Sequence, residues 1–354
     1  MKVLILTPTA LPTVTGNAVT AERWRGSLTE LGVDVRVLPT AGLTAKELAR
    51  VIDEERPRLV HAHHLIKSGS LLLEDPAARR VGSFPLVVSP AGTDINSQGG
   101  EGVLSAEALK VCEAARLIVT QSPWLRDLLY TEIPGLHERI VHVPKAFKWF
   151  GNDTFDLRSV FHWESNDVIF FCPAGIRQVK NNFACLEWME RVHHERPGVR
   201  VVFAGPPLEG DYADRFRREV ERCVYFARWV EEIPPGAMKS AYGSADIVLN
   251  CSLSEGLSNT LLEAIASGKP LLVSRIPGNQ RLLDEEGGEI PCGLLFDLKD
   301  PCDFIEKAIM LVDGVELRGH LAQGCREKAR NLPAPEDEAK ALLQVYLRAV
   351  GCWP

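Results

Sequence analysis

Two glutamates separated by seven residues, Glu255 and Glu263, are the side chains of this sequence best suited to chemistry. The surrounding segment, NCSLSEGLSNTLLEAIASGKP, reads as a strand, a tight loop and an apolar helix that starts near Asn259. The N–H groups and the positive dipole end of such a helix attract an anion such as a diphosphate. Because two carboxylates would repel that anion, they suit hydroxyl donors on either side of it. The alternative is an ordinary loop charge at 255 and a solvent-facing glutamate at 263.

A basic loop is predicted at the carboxyl edge of the sheet to which the strand before Glu255 belongs. PAGIRQVKNN, from Pro173 to Asn182, follows an apolar strand and carries Arg177 and Lys180. A guanidinium fork and an ammonium are suited to neutralising phosphate oxygens. The alternative for both residues is a solvated basic turn.

The run HAHH, His61 to His64, ends another predicted strand. His63 or His64 is therefore a candidate to orient or polarise a ligand, with structural packing as the alternative. An H-x-H pair can also ligate a metal, but no cysteine or acid nearby completes a set and two imidazoles are too few for a closed site. We expect no metal.

Short β-branched runs, each followed by a turn and a stretch of helical period, recur along the whole chain. Strand and helix in alternation predict parallel sheets covered on both faces. The predicted strands are Val3 to Thr7, Val33 to Leu38, Leu59 to His63, Leu86 to Ser89, Leu117 to Gln121, Ile140 to Pro144, Val168 to Pro173, Val199 to Ala204, Val224 to Arg228, Ile247 to Cys251, Leu271 to Ser274 and Leu294 to Phe296. In the first helix, Ala18 to Leu31, we expect Asn17 as N-cap and Gly32 as the stop.

The predicted fold class is α/β, with two doubly wound Rossmann-like domains facing a central cleft. Residues 1–148 form the first domain, 149–166 an irregular linker rich in Gly, Asn and aromatics, and 167–334 the second domain. Ligands bind open parallel sheets at the carboxyl ends of their strands, so the turns there should hold the chemistry.

Composition excludes several classes of protein. A formal charge of −7 spread over 354 residues gives no basic field for nucleic acid or an anionic membrane. The chain lacks G-x-G-x-x-G and G-x-x-x-x-G-K-[ST], which removes the main support for nicotinamide, flavin and P-loop chemistry. We expect no signal peptide and no transmembrane helix, and hence a cytoplasmic protein. Nine cysteines without a C-x-x-C pair, among them Cys172, Cys223 and Cys251, are expected to be reduced and mostly buried.

Several segments resemble the GT-B glycosyltransferases of family 4, the group 1 glycosyl transferases. They are GIRQVKN, the long run SADIVLNCSLSEGLSNTLLEAIASGKPLLVSRIPGN, and CGLLFDLKD. The similarity extends over nearly the whole chain. The N-terminal TGNAVTAERW and PAGTD are most similar to a branch that includes glycosyltransferase 1 domain-containing proteins and selenosugar synthases.

The resemblance implies a retaining, metal-independent, hexosyltransferase-type enzyme that needs no cofactor and takes a nucleoside-diphosphate sugar, a UDP-sugar, as co-substrate. Arg177 and Lys180 would hold the donor diphosphate, Glu255 would contact hydroxyls of the donor sugar, and Glu263 would bind the nucleotide ribose. The backbone amides at the helix start would bind the phosphates; these belong to Gly256, Leu257, Ser258, Asn259 and Thr260.

The first domain would bind the acceptor, a small molecule or glycan. Gly16, which belongs with the donor-binding residues, would let a phosphate or sugar approach the backbone closely. Asp94 in Gly92-Thr93-Asp94 would bind an acceptor hydroxyl, with a helix N-cap as the alternative. His63 or His64 would act beside them, and His63 completes the predicted catalytic set of Arg177, Lys180 and Glu255. The C-terminal helix, 335–354, would pack back on this domain.

Two departures from the family pattern bear on these roles. Arg177 and Lys180 stand closer together than usual, and PKAFKW follows Val143 in place of an Asn-Gly-Val-Asp-like turn. The alternatives are a GT-B nucleotide-sugar epimerase, which would isomerise the donor without an acceptor, and a non-catalytic nucleotide-sugar-binding protein.

Overall fold

The computed structural model describes residues 1–92, 94–95, 104–284 and 290–351, and these form two compact units. The first unit combines Met1–Lys148 with Pro333–Pro354, and the second is Trp149–Leu332.

Strands and helices alternate along both units, as the hydrophobic pattern predicts. The strands are β1 Lys2–Thr7, β2 Asp34–Pro39, β3 Leu59–His63, β4 Leu86–Ser89, β5 Leu117–Thr120, β6 Ile140–His142, β7 Val168–Pro173, β8 Val199–Ala204, β9 Ala227–Val230, β10 Ile247–Asn250, β11 Leu271–Ser274 and β12 Gly293–Phe296. The α-helices are α1 Gly16–Glu30, α2 Ala45–Glu55, α3 Ala106–Ala114, α4 Pro123–Glu132, α5 Leu157–Val160, α6 Asn182–Glu195, α7 Gly210–Arg222, α8 Met238–Ser244, α9 Asn259–Ala266, α10 Pro277–Asp284, α11 Pro301–Asp313, α12 Val315–Ala329 and α13 Pro335–Ala349.

The first unit is built on a six-stranded parallel sheet in the order β2-β1-β3-β4-β5-β6. Helix α13 packs on one face of this sheet, where its Leu342 and Tyr346 join a core cluster with Val3, Ile5 and Trp24. The last helix of the chain is therefore part of the first unit.

The second unit has its own six-stranded parallel sheet, in the order β12-β11-β10-β7-β8-β9. Aromatic side chains such as Phe170, Phe203, Phe216 and Phe304 fill its core. Two doubly wound parallel sheets are what the sequence predicted.

Two local predictions are wrong. The N-cap of α1 is Thr15 instead of Asn17, because the Thr15 hydroxyl accepts a hydrogen bond from the amide of Ala18 at 3.2 Å. Strand β9 begins at Ala227, three residues after the predicted start at Val224. After α7 the chain turns there, with the amides of Phe226 and Ala227 donating to the carbonyl of Cys223.

The first part of the predicted linker is held by the second unit. The amides of Phe155 and Leu157 donate to the hydroxyls of Ser240 and Ser244 on α8, at 3.0 and 2.9 Å. The segment 149–166 is therefore ordered against α8 and contains the short helix α5.

All eight cysteines in the described ranges are free thiols, and every one except Cys302 is buried. This confirms the predicted burial of Cys172, Cys223 and Cys251. No helix within those ranges is both long and apolar enough to cross a membrane.

Candidate functional site

The order of the second sheet reverses between β7 and β10, because the chain winds outward from β7 in one direction and returns to β10 on its other side. In open α/β sheets ligands bind at such a switch point, beyond the carboxyl ends of the strands. The loops that follow these two strands are joined there, since the amide of Leu253 donates to the carbonyl of Val179 at 2.9 Å.

Lys180 and Glu255, one from each loop, form an ion pair with 2.5 Å between Nζ and Oε1. The same carboxylate oxygen accepts from the Ser252 hydroxyl at 2.7 Å and from the Asn250 amide at 3.2 Å. Sequence reasoning missed Asn250, the last residue of β10, and Ser252 in the loop that leads to Glu255. The other oxygen, Oε2, has no hydrogen-bond partner in the described ranges, so it can accept from a ligand hydroxyl.

The surroundings of Glu255 keep it ionised. Burial by itself raises the pKa of this carboxyl, but the Lys180 ammonium and the hydrogen bonds from Ser252 and Asn250 outweigh it, and the pKa lies below its ordinary value. Glu255, with 11% of its side chain exposed, is therefore a largely enclosed acceptor and not the solvated loop charge that the sequence left open.

Arg177 is a cation without a counter-ion in the described part of the chain. Its backbone amide donates to Asn182 Oδ1 at 3.2 Å, while its buried side-chain Nε has no hydrogen-bond partner there. The side-chain Nδ2 of Asn182 is likewise buried without a partner. A half-buried guanidinium with unmet donors favours an anion beside it.

Helix α9 begins beside the Lys180–Glu255 ion pair. Ser258 is its N-cap residue, but the Ser258 hydroxyl caps no helix amide and lies 3.4 Å from the Asn250 amide, from which it accepts. Thr260 fastens the helix start to β7 by donating to the carbonyl of Pro173 at 2.8 Å. Gly278 lets α10 approach the loop, since a Cβ there would lie 2.4 Å from the Glu255 carbonyl.

Glu263 lies one turn into α9 and is anchored by a residue that sequence reasoning missed. The Tyr242 hydroxyl of α8 donates to Glu263 Oε2 at 2.7 Å. Burial, with the neighbouring Glu263 carboxylate, raises the pKa of Tyr242 well above its ordinary value, so the phenol stays protonated and donates. Glu263 therefore faces α8 and is not a freely solvated side chain.

In the first unit, Asp94 connects the loops that follow β3 and β4. Its Oδ2 accepts from the amide of Leu65 at 2.6 Å, and its Oδ1 accepts from the amide of Ala91 at 2.9 Å. His64 has φ of 84° and Nδ1 3.5 Å from Asp94 Oδ2. The predicted acceptor residues Asp94 and His64 are thus adjacent, whereas Thr93 lies outside the described residues. Gly16 opens α1, directly after the Thr15 cap.

His61 and His63 are both buried at the end of β3. His61 stacks on Trp24 with 5.0 Å between ring centroids, and His63 meets the same indole edge-on at 5.0 Å. Burial lowers the pKa of His61 to about 3 and holds that of His63 well below its ordinary value, so both rings are neutral near pH 7. Within the described ranges, no three His, Cys, Asp or Glu side chains cluster as a metal site would need.

A buried ion pair joins α1 to α13, and sequence reasoning did not predict it. Glu338 accepts from Arg23 Nε at 2.7 Å and Nη2 at 3.0 Å, from Trp24 Nε1 at 3.0 Å and from Gln121 at 2.5 Å. Burial raises the pKa of Glu338, yet Arg23 and the other donors bring it below the ordinary value. The signal was present: Glu338 falls on the apolar face of α13 with Leu342 and Tyr346, at helical spacing.

Comparison with solved structures identifies the fold. The fold matches sucrose-phosphate synthase from Thermosynechococcus elongatus with a TM-score of 0.79 at 15% identity, covering 99% of this chain and 100% of that one. It matches HepE from Anabaena, solved in complex with UDP-glucose, with a TM-score of 0.76 at 15% identity and all of both chains covered. The chain thus has the GT-B fold of glycosyltransferases.

Sequence comparison places the chain within that class. Residues 166–314 match the family model for group 1 glycosyl transferases, and residues 14–122 match that for glycosyl transferase 4-like domains. Glycosyltransferase 1 domain-containing protein 1 of Xenopus tropicalis is 25% identical over 338 residues, which cover 92% of each chain. The chain belongs to the group 1 glycosyltransferases, as its motifs predicted.

Proposed function

We propose that this protein transfers a sugar from a nucleoside-diphosphate sugar to an acceptor, with the donor held by the second unit. The observation that carries the proposal is Arg177, a partly buried guanidinium without a counter-ion in the described chain, at the switch point of the sheet and beside Lys180. An unmet positive charge at this position suits a ligand with a diphosphate.

Each donor-site residue has a role that its contacts support. Arg177 and Lys180, with the start of α9, neutralise the charge that develops on the leaving diphosphate, which is electrostatic catalysis by preorganised donors. Glu255 accepts from a hydroxyl of the donor sugar through Oε2, and Glu263 accepts from the ribose. HepE, whose fold the chain shares, is solved with UDP-glucose, which makes a UDP-sugar the natural first donor to test.

The transfer is proposed to retain the anomeric configuration and to need no metal. An oxygen of the leaving phosphate takes the proton of the acceptor hydroxyl on the same face of the sugar, so no carboxylate nucleophile is required. The charge that a metal would neutralise elsewhere is met here by a guanidinium and an ammonium.

The first unit is proposed to bind the acceptor. Asp94 and His64 join two loops at the carboxyl edge of its sheet, close to His63. The similarity of the whole chain to glycosyltransferase 1 domain-containing protein 1 supports a relationship to that branch; the relationship to selenosugar synthases stays a prediction.

Thermal unfolding with UDP-glucose tests the donor site, because a ligand that binds only the native state stabilises it by about 2.7 kcal/mol at a hundred times its Kd. We expect Arg177→Ala to lose this stabilisation, whereas Arg191→Ala, an exposed arginine on α6, keeps it. Turnover of UDP-glucose with an acceptor panel should fall about 10²- to 10³-fold in Arg177→Ala.

Two results would contradict the proposal. One is an Arg177→Ala variant that UDP-glucose stabilises as well as it does the wild type. The other is an isomerised nucleotide sugar formed from UDP-glucose alone, which would identify an epimerase.

A further inference from the structure

Four buried side chains of the first unit form a continuous series of hydrogen bonds that ends at His63. The Tyr346 hydroxyl lies 2.7 Å from His61 Nδ1, His61 Nε2 lies 2.9 Å from the Ser89 hydroxyl, and that hydroxyl lies 3.0 Å from His63 Nδ1. Tyr346 comes from α13, 285 residues beyond His61. The last helix of the chain is thus connected to a candidate catalytic histidine.

The direction of the first hydrogen bond follows from elimination. A neutral imidazole has one N–H donor and one acceptor nitrogen, and burial keeps both histidines neutral. The Tyr346 hydroxyl is fully buried and has no other hydrogen-bond partner in the described ranges. It must donate to His61 Nδ1, because the reverse direction would leave a buried O–H without an acceptor.

The remaining directions are then fixed. The proton of His61 is on Nε2 and is donated to the oxygen of Ser89. The Ser89 hydroxyl is fully buried and has no further hydrogen-bond partner in the described ranges, so its proton goes to His63 Nδ1; accepting from both imidazoles would leave a buried O–H without an acceptor. His63 must therefore carry its own proton on Nε2, an atom for which the described chain provides no partner.

We infer that Tyr346, His61 and Ser89 are positioning residues that hold His63 in its Nε2–H tautomer, in which it offers a hydrogen-bond donor to an oxygen of a bound ligand. In this state the Nε2 atom cannot act as a general base or bind a metal. The role toward a sugar or phosphate oxygen rests on the proposed function, whereas the tautomer rests on the geometry alone.

The packing around the two imidazoles supports a fixed state. Trp24 stacks on His61 and meets His63 edge-on, so neither ring can flip without disturbing the core. Besides burial, the titratable and charged groups that act on His63 are His61, Lys145, His64 and Arg23, and all four disfavour a second proton on it. His63 therefore stays neutral as well as oriented.

Long-range ¹H–¹⁵N NMR of the full ¹⁵N-labelled chain reads the tautomer directly, with a His63→Gln sample to assign its resonances. We expect the Nε2–H tautomer for both His61 and His63 at pH 7.5. A His63 resonance pattern of the Nδ1–H tautomer would overturn the inference.

Two variants test the order of the hydrogen bonds from Tyr346 to His63. Tyr346→Phe keeps the ring but removes the donating hydroxyl, so both histidines should become mixtures of tautomers. Ser89→Ala removes the hydroxyl that connects the two imidazoles. Only His63 should then become a mixture of tautomers, while His61 keeps its proton on Nε2. Tyr130→Phe, which removes a hydroxyl from half-buried Tyr130 on α4, is the matched control and should leave both unchanged.

An unaltered His63 spectrum in both Tyr346→Phe and Ser89→Ala would also overturn the inference. Binding of UDP-glucose, measured by thermal unfolding of the same samples, separates this outcome from a failure of the proposed function. If the nucleotide sugar binds and the His63 tautomer is Nδ1–H, only the inferred directions of the hydrogen bonds are wrong. If the tautomer is Nε2–H and no nucleotide sugar binds, the proposed function alone is wrong.

Discussion

The Arg23–Glu338 pair of the first unit and the Lys180–Glu255 pair of the second unit differ in which carboxylate oxygens they leave open. In the first unit both oxygens of Glu338 accept hydrogen bonds, and the Arg23 and Glu338 side chains are 3% and 1% exposed. In the second unit Glu255 keeps one oxygen without a partner, and its pair with Lys180 lies beside the unpaired Arg177. A pair whose carboxylate oxygens are all hydrogen-bonded holds a helix in place, while a pair with an open oxygen can accept a hydrogen bond from a ligand.

The largest effect is expected from Glu338→Gln in the Arg23–Glu338 pair. This change leaves the Arg23 guanidinium buried without its counter-charge, which costs about 3–5 kcal/mol of the free energy of unfolding. Urea denaturation followed by tryptophan fluorescence measures the loss. Glu336→Gln, an exposed glutamate in the same helical turn, is the control and should change little.

A Glu338→Gln variant less than about 1 kcal/mol below the wild type would show that the pair does not fasten α13. The double variant Arg23→Met with Glu338→Leu should regain most of the stability, because a buried ion pair can be replaced by packed apolar side chains.

Glu255→Gln in the Lys180–Glu255 pair should affect activity more than folding. Loss of a charged acceptor costs about 1.5–3 kcal/mol in the interaction with a donor hydroxyl, which corresponds to a fall of roughly 10- to 100-fold in kcat/KM for the nucleotide sugar. Steady-state kinetics with UDP-glucose measures it, with Glu187→Gln on the exposed side of α6 as control.

The stability of the Glu255→Gln variant distinguishes the two pairs. We expect a smaller loss than in Glu338→Gln, because the Lys180 ammonium has a flexible stem and can turn toward water. Equal losses of stability in the two variants, with unchanged kinetics in Glu255→Gln, would remove the difference between the units.

The smallest effect is expected in how acid changes the stability of the two units. The folded pKa of His61 is depressed from about 6.5 to about 3, so the unfolded chain binds more protons and stability falls as the pH drops from 6.5 toward 3. The pKa of Glu255 is also depressed, but its contribution is present above the unfolded value near 4.5 and is lost only at lower pH. Between pH 6.5 and 4.5 the first unit should therefore lose stability through its histidines.

Urea denaturation at pH 7, 6 and 5 measures this slope, which is limited to about 1.4 kcal/mol per pH unit for each group. His61→Phe should flatten the slope, whereas His194→Gln, an exposed histidine on α6, should not. An identical slope in wild type and His61→Phe would mean that His61 does not resist protonation in the folded state.

Local pattern was enough for most of the elements. The bounds of β3, β4, β7, β8 and β11 agree with those predicted from the sequence. The predicted start of β9 is wrong because apolar Val224 and Tyr225 resemble a strand but lie exposed in a turn. Hydrophobic periodicity reports burial on average and does not detect a single turn.

From the sequence we could predict the two parallel sheets, the family, the two loops that carry Arg177, Lys180 and Glu255, and the helix that carries Glu263. These follow from short-range periodicity and from motifs that are contiguous in the chain. The folded structure was needed to show which oxygen of Glu255 is open, that Tyr242 donates to Glu263, and that Glu338 and Tyr346 reach the first sheet. Such contacts join residues far apart in sequence, and the packing of the helices on the sheets brings them to hydrogen-bond distance.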